Sequence, residues 1–222
     1  MTDIFARTKL LLGESFEKLS RARVLVVGVG GVGGFVAEFL ARAGVGGITI
    51  VDFDTVEPTN TNRQVIALQS TVGRLKTGVL AQRLKDINPD LEIRAISKRF
   101  NEQTKDEVFD GHYDFVVDAI DSLGDKVLLI ETALSKGLRT ISATGAGNRY
   151  GIPDFEVKDI YKTSDDGLAK ALRKKLREKG VTALPCVCSK TPAEKVDGAV
   201  GSISYYPAAC ACVLAAYVVN NL

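Results

Sequence analysis

Apolar and polar positions near the start of the chain follow the order of a strand, a tight turn and a helix. The apolar run "RVLVVG", residues 23–28, leads directly into glycines. The helical pattern that follows has apolar residues spaced for one face: Val32, Val36, Phe39 and Leu40. Gly44 ends this pattern, and a second apolar run, "ITIVDFD", residues 48–54, finishes in acids. The order predicts a parallel, right-handed βαβ unit.

The same alternation continues to about residue 150. Helices are predicted over "VGRLKTGVLAQRLKDINP", where Pro89 ends the pattern, and over "GDKVLLIETALSKG". Strands are predicted at "LEIRAIS", "YDFVVDAID" and "RTISAT". This repetition predicts an α/β fold with a Rossmann-like, doubly wound and mainly parallel sheet.

After residue 150 the rhythm changes. The stretch "IPDFEVKDI" is typical of a strand without a following parallel partner, and "DDGLAKALRKKLREKG" of a highly charged helix. Residues 184–199 form a polar, proline-bearing stretch that we interpret as a loop covering a site. We expect one domain over residues 1–222. Its nucleotide-binding, Rossmann-like core is 1–150, and its C-terminal antiparallel extension, 151–222, carries the basic helix, the loop and an apolar helix.

Composition narrows the class of protein. The chain has 222 residues, 45% of them hydrophobic, which is enough for one large core. Its 29 basic and 27 acidic side chains leave a net charge of +2, so any nucleic-acid contact requires a local patch. The start, "MTDIFARTKLLLG", lacks the features of a signal peptide, and "AACACVLAAYVVNNL" is shorter than the roughly 20 residues of a membrane span. We expect a cytoplasmic protein with no stable membrane insertion.

A glycine fingerprint follows the first strand. Gly28, Gly30 and Gly33 form G-x-G-x-x-G, which supplies a tight turn, close approach to phosphate and close packing of helix on strand. The helix start beyond Gly31 offers N–H groups to an anion, and Asp52 can accept hydrogen bonds from ribose hydroxyls. By itself this pattern favours NAD over ATP.

Charged residues beyond the second strand change that expectation. Arg63 and Lys76 suit a triphosphate, which needs cationic partners and a metal ion, although both could be ordinary surface charges. Asp118 and Asp121 lie in the stretch "VVDAID", and Asp121 is the better Mg²⁺ candidate because it lies further out along the turn, whereas Asp118 could simply cap the next helix. No G-x-x-x-x-G-K-[ST] stretch occurs, so the sequence indicates ATP binding without a P-loop.

The motifs "GVGGVGG", "DFD", "TNTNRQ", "GRLK", "NP" and "DAID", in this order, resemble the ubiquitin-activating-type adenylating enzymes of the ThiF, MoeB and HesA kind. The resemblance covers almost the whole chain and implies that ATP adenylates a carboxylate. It implies that Gly30 and Gly31 face the phosphates and that Asp52 and Asp54 face the ribose. The residues that it implies around the phosphates and Mg²⁺ are Asn62, Arg63, Lys76 and Asp121.

An arginine close to the start of the chain bears on oligomeric state. Arg7, in "FARTKLLLG", resembles the family arginine that reaches into the ATP site of the other subunit. This resemblance implies a homodimer with shared sites and a catalytic role for Arg7. The alternative is that Arg7 lies on a frayed amphipathic helix.

The cysteines distinguish branches of this family. Sulfur-carrier activators usually hold zinc with two C-x-x-C pairs, whereas this chain has C-x-C at 186–188 and 210–212, so we expect no zinc. We expect Cys186 and Cys188 to be plain loop thiols and Cys210 and Cys212 to be core residues. The alternative is that Cys186 or Cys188 is a nucleophile, which requires a neighbour that lowers the pKa of its thiol.

The chain lacks the two C-x-x-C pairs and in this respect resembles the tRNA threonylcarbamoyladenosine dehydratase branch. The same resemblance is carried by the stretches "TNTNRQ", "VKDIYKTSDDGLAKALRKKLREKGV" and "GSISYYPAACACVLAAYVV". That branch implies ATP-dependent cyclisation of threonylcarbamoyladenosine in tRNA through an acyl adenylate. Its implied partners are this tRNA and, as accessory proteins, sulfur-transfer proteins. The alternatives are adenylation of the C-terminal carboxylate of a small sulfur-carrier protein, a Rossmann oxidoreductase and a non-catalytic nucleotide-binding scaffold.

A basic helix offers a surface for tRNA. Its candidate phosphate contacts are Lys170, Arg173, Lys174 and Arg177. An ordinary amphipathic helix, with leucines buried and charges in solvent, explains the same pattern.

Overall fold

The computed structural model describes residues 3–164, 166–198 and 200–222. A seven-stranded sheet lies at its centre. The strands are β1 (Arg23–Val27), β2 (Gly47–Val51), β3 (Glu92–Ile96), β4 (Phe115–Asp118), β5 (Arg139–Ala143), β6 (Phe155–Asp159) and β7 (Pro185–Ser189). Their spatial order is β3-β2-β1-β4-β5-β7-β6.

All neighbouring strands pair in parallel except β6 and β7, which pair antiparallel. The predicted mainly parallel, doubly wound fold is therefore confirmed, together with its antiparallel C-terminal part. The strand order changes direction between β1 and β4, where sheets of this type form a crevice at the carboxyl ends of the strands. In that crevice Val27 is in register with both Val51 and Asp118.

Helices cover both faces of the sheet. They are α1 (Ala6–Leu12), α2 (Ser15–Arg21), α3 (Gly33–Ala43), α4 (Lys76–Ile87), α5 (Lys105–Val108), α6 (Leu123–Ser135), α7 (Gly167–Glu178) and α8 (Tyr205–Asn221). One face is covered by α3, α4 and α8, and the other by α5 and α6, with α7 packed on α6. Among the described residues, no helix is long and apolar enough to cross a bilayer.

Alternation along β1 explains why both faces are covered. Val24 and Val26 belong to one apolar cluster, and Leu25 and Val27 to the other, and all four side chains are buried. A strand with four consecutive buried apolar residues must be covered on both sides. Gly44 ends α3 in the left-handed region with φ 101°, as the sequence predicts.

The interpretation of residues 184–199 as a loop is wrong for its first part. Residues Pro185–Ser189 form β7, which lies inside the sheet between β5 and β6. This strand depends on its two neighbours, because the run "PCVCS" has a proline, a serine and no β-branched residue except Val187. The last residue of the predicted loop, Ala199, lies outside the described residues.

Candidate active site

A cavity of about 890 Å³ lies at the carboxyl edge of the sheet, where the strand order changes direction. The sequence-predicted residues that line it are Gly28, Gly30, Gly31, Asp52, Asp54, Arg63, Lys76 and Asp121. The lining residues that the structure describes do not include Gly33, Asn62 or Arg7. Residues separated by nearly a hundred positions in sequence are therefore brought to one crevice.

The glycines of the fingerprint serve two different purposes. A Cβ on Gly33 would lie 1.8 Å from the carbonyl oxygen of Gly28, and a Cβ on Gly28, whose φ is +86°, would lie 2.6 Å from that of Ala119. These two glycines are required by the protein's own packing. At Gly30 the nearest atom is 3.7 Å away, on the side chain of Gln64, so the protein leaves room for a Cβ there. Absence of a side chain at Gly30 instead keeps the cavity open for a ligand.

Helix α3 begins at this glycine turn and points its amino end into the cavity. Its N-cap residue, Val32, makes no side-chain hydrogen bond to the first turn. The N–H groups of an uncapped helix start and the positive end of the helix dipole favour an anion such as phosphate. Gly30 and Gly31, immediately before this start, are positioned for that role.

Asp52 is held rigidly at the end of β2. One carboxylate oxygen accepts a hydrogen bond from the amide of Val29 at 2.8 Å, and the other accepts from the amide of Asp54 at 2.9 Å. Because each carboxylate oxygen has two lone pairs, both retain acceptor capacity. The side chain is thus oriented by the backbone and can still accept from ribose hydroxyls.

Lys76 and Asp54 form an ion pair in the cavity wall. The Lys76 ammonium lies 2.8 Å from Asp54, and Lys76 is only 6% exposed. Lys76 is the first residue of α4, so its charge adds to the positive end of that helix. Lys76 is therefore a nearly buried cation in the cavity wall, and it is not the solvated surface lysine that was the alternative interpretation of the sequence.

Arg63 and Asn62 lie together, but only Arg63 lines the cavity. The stem of Arg63 passes within 3.4 Å of where a Cβ on Gly31 would lie, and its guanidinium donates to the Thr59 carbonyl. Asn62 is exposed, accepts from Arg63 and donates to the carbonyl of Ser202. Its observed contacts orient Arg63 and join this turn to the segment before α8.

Asp121 lines the cavity on an exposed turn that a buried ion pair supports. Asp118 and Lys126 are fully buried, 2.6 Å apart. Asp118 also accepts from the hydroxyl of Ser142 and from the amide of Ile120, which fixes the turn that carries Asp121. Asp118 therefore does not cap α6, and Asp121 is left free of this network for a ligand.

Sequence reasoning missed several cavity residues. Beyond β3, Lys98 and Arg99 add two cations, and Arg99 pairs with Asp125 at 2.8 Å and stacks over the half-exposed ring of Phe53. Phe53 directly follows Asp52, so its position just after the end of a strand could have marked it as a cavity residue in the sequence. No local pattern marked Arg99, because its role depends on a contact with α6.

A second wall of the cavity comes from two segments that are distant in sequence. It includes the turn after β5 and the start of α7, with Arg149 and Asp166 buried between them. The Arg149 guanidinium lies 3.5 Å from Asp166. The only local signal for this wall was the glycine turn formed by Gly145 and Gly147.

The cysteines differ from the sequence interpretation. Cys186 and Cys188 are buried in β7 and are not loop thiols, and Cys212 is exposed and is not a core residue. Cys210 is buried as expected, and burial raises the pKa of its thiol to about 12. The pKa of the Cys186 thiol is raised mainly by a hydrogen bond with Cys188 and, to a lesser extent, by burial. Among the described residues no group of three or more His, Cys, Asp or Glu side chains could hold a metal ion.

The basic helix α7 is only partly free in solvent. Lys170 and Lys174 are exposed. Arg173 is half-buried and donates to the backbone and hydroxyl of Thr163, and Arg177 stacks over Tyr161 at 5.1 Å. Leu172 and Leu176 form the buried stripe. Lys170 and Lys174 are therefore the members of the predicted set that are best placed for phosphate contacts.

Helix α1 carries Arg7 far from this chain's own cavity. Rings of Phe5 and Phe16 pack beside Gly44, at the end of α3 opposite to the glycine turn. Arg7 is exposed on this helix. It cannot contribute to the cavity of the same chain in this arrangement.

Comparison with known proteins identifies the family. The family model described as "ThiF family" matches residues 6–222. The chain belongs to the ThiF family. Among curated relatives, a protein of Bacillus subtilis named tRNA threonylcarbamoyladenosine dehydratase is 44% identical over 80% of this chain and 70% of its own length.

Solved structures agree with this ThiF assignment. The tRNA N6-threonylcarbamoyladenosine dehydratase of Escherichia coli in complex with AMP is 32% identical, with a TM-score of 0.93 over 97% of this chain and 92% of that one. Its complex with ATP gives a TM-score of 0.91 at 33% identity. The predicted family is thus confirmed, and ATP is the nucleotide expected of a ThiF-family site.

Proposed function

We propose that this chain catalyses the ATP-dependent cyclising dehydration of N6-threonylcarbamoyladenosine in tRNA. The observation that carries the proposal is the cavity itself, in which the glycine turn and nearly buried Lys76 share the lining with the turn after β5 and the start of α7. Its volume of about 890 Å³ is at the upper end of small-molecule sites. The two dehydratases described above resemble this chain over most of its length, which favours this reaction over adenylation of a sulfur-carrier protein.

The proposed chemistry has two steps. The threonyl carboxylate attacks the α-phosphorus of ATP, forms an acyl adenylate and releases pyrophosphate. A nitrogen of the ureido group then attacks the activated carbonyl carbon, loses its proton and expels AMP, so the nucleoside loses one water overall. Because nucleophile and acyl group belong to one molecule, proximity supplies much of the acceleration.

The chain's own residues are proposed to bind and neutralise the nucleotide. Gly30, Gly31 and the start of α3 receive the phosphates, and Asp52 accepts from the ribose. Lys76 exchanges its partner Asp54 for a phosphate oxygen, and Arg63 provides the second cation. Asp121 is a suitable hard oxygen ligand for Mg²⁺, which supplies charge neutralisation when bound with the nucleotide.

One experiment tests the reaction directly. Purified protein is incubated with Mg-ATP and tRNA that carries threonylcarbamoyladenosine, and the digested nucleosides are weighed by mass spectrometry. We expect a loss of one water that requires ATP. An unchanged nucleoside from protein that still binds ATP would overturn the proposal and redirect the search to protein carboxylates.

We further propose a homodimer in which Arg7 completes the partner's site. Support comes from its exposed position away from the chain's own cavity, and from the neighbouring apolar side chains Leu10 and Leu11, which are exposed. We expect the Arg7→Ala and Lys76→Ala variants each to be nearly inactive. An equal mixture of the two, dissociated and reassociated, should regain about one quarter of wild-type activity. The reason is that about half of the dimers then contain one chain of each variant, and one of the two sites in such a dimer is intact. A mixture that stays inactive would exclude shared sites.

The exposed part of α7 is proposed to contact tRNA phosphates. We expect Lys170→Glu with Lys174→Glu to raise the KM for tRNA at least ~10-fold, to weaken its salt dependence and to leave ATP affinity unchanged. Lys175→Glu with Lys179→Glu is the matched control, since these lysines pair with Glu178 and Glu131. Equal effects of both double variants, or equal loss of ATP binding, would contradict a role for Lys170 and Lys174.

A further inference from the structure

Arg149 is a buried hub of the second cavity wall. It is 4% exposed, and its guanidinium donates to the carbonyls of Gly145 at 2.6 Å and Thr191 at 2.7 Å. These carbonyls belong to the turn after β5 and to the segment after β7. One side chain thereby fixes two segments that are distant in sequence.

Asp166 joins the same wall to the basic helix. It is 5% exposed, and one carboxylate oxygen caps α7 by accepting from the amide of Ala169 at 2.8 Å. The other oxygen accepts from the amide of Gly145 at 2.9 Å and lies 3.5 Å from Arg149. The first turn of α7 and the cavity wall therefore share a single carboxylate.

This arrangement has a geometric consequence. The glycine turn and Lys76 form the wall suited to the nucleotide, whereas residues 143–149 and 166–168 form the second wall of the same cavity. Helix α7 begins at that second wall and exposes Lys170 and Lys174 further along. A buried, fully hydrogen-bonded network keeps its members in one arrangement. Asp166 thus ties the first turn of the helix that exposes these lysines to the cavity wall.

We propose that Asp166 and Arg149 are a positioning pair that holds α7 in register with the cavity, so that RNA bound along α7 delivers its carboxylate to the nucleotide. The proposal rests on the function proposed above. Neither residue reacts, because each is occupied by protein groups. A misplacement of about 1 Å in a substrate-positioning element is enough to cost about 100-fold in rate.

Asp166→Asn is the sharpest test. The amide keeps the size of the side chain and one oxygen for the cap of α7, but it turns an N–H₂ group toward the Gly145 amide and removes the charge beside Arg149. We expect kcat with modified tRNA to fall at least ~10-fold, while ATP affinity stays within about twofold of wild type.

Asp159→Asn is the matched control. Asp159 caps a short helical turn through the amide of Tyr161 and accepts from the amide of Leu184, each at 2.9 Å, away from the cavity. The same chemical change is therefore made at an aspartate that likewise caps a helical turn and accepts a second backbone hydrogen bond. We expect its kcat and KM for tRNA to stay within about twofold of wild type.

The measurements are kcat, KM for tRNA, ATP affinity and Tm for wild type and both variants. Wild-type kcat and KM in Asp166→Asn, or a parallel loss of ATP affinity, would overturn the positioning role. If Asp166→Asn does not fold, Arg149→Lys replaces it with the same expected pattern, since lysine keeps the charge but cannot span the two carbonyls. Failure of the wild-type protein to cyclise the nucleoside would instead refute the proposed function.

Discussion

Replacing Lys76 with alanine is expected to lower turnover at least ~100-fold, the scale of losing one preorganised charge stabiliser. Its ammonium is nearly buried, lies 2.8 Å from Asp54 and stands at the start of α4, so no other side chain of that helix can replace it. We expect losses of the same order for Arg63→Ala and Asp121→Ala. Pyrophosphate release with saturating substrates measures all three.

Lys85→Ala is the matched control for Lys76→Ala. Lys85 lies on the same helix, is exposed and donates to the carbonyl of Pro89 outside the cavity. We expect Lys85→Ala to keep wild-type turnover. The Tm of Lys85→Ala and of Lys76→Ala should each lie within a few degrees of the wild-type value. Full turnover by any of the three site variants would remove that residue from the catalytic set.

Gly33→Ala is expected to prevent folding, or to destabilise the protein by at least about 4 kcal/mol, which corresponds to roughly 10 °C in Tm for a chain of this size. The reason is the 1.8 Å approach of the added Cβ to the Gly28 carbonyl oxygen. The backbone of the β1–α3 turn would have to move, and the packing of α3 on the sheet with it.

Gly30→Ala, three residues earlier, is expected to behave differently. Its Cβ would meet only the Gln64 side chain at 3.7 Å, so we expect an unchanged Tm. The methyl group would extend into the cavity where phosphate approaches, and ATP affinity should fall at least ~10-fold. Thermal denaturation and ATP titration measure the two effects, and equal instability of both variants would refute this division between the glycines.

The central fold could be predicted from the sequence because its strands and helices are marked by local patterns of apolar and polar residues. Strands β1 and β4 are buried on both faces and appear as continuous apolar runs, and Gly44 gives a local signal for the end of α3. Strand β7 gave no such signal. Its residues become a strand because β5 and β6 offer hydrogen-bonding partners on both sides.

The predicted site residues converge because many of them follow the carboxyl ends of parallel strands. Asp52 and Asp121 are examples, since topology alone brings strand ends together. Arg149 and Asp166 were not predicted, because a charged residue in a loop or at a helix start is usually solvated. Their burial results from contacts among the turn after β5, the start of α7 and the segment after β7, and no single stretch of sequence predicts those contacts.

The packing of α8 against α3 has a consequence for the order of events during synthesis. Pro207, at the start of α8, lies within 3.3 Å of where a Cβ on Gly31 would be, and both residues line the cavity. A chain that has already formed its glycine turn therefore still lacks part of the cavity lining until α8 has been synthesised and has packed against α3. Nucleotide added during translation would bind only molecules in which α8 is in place, and it would thereby stabilise α8 and the glycine turn together.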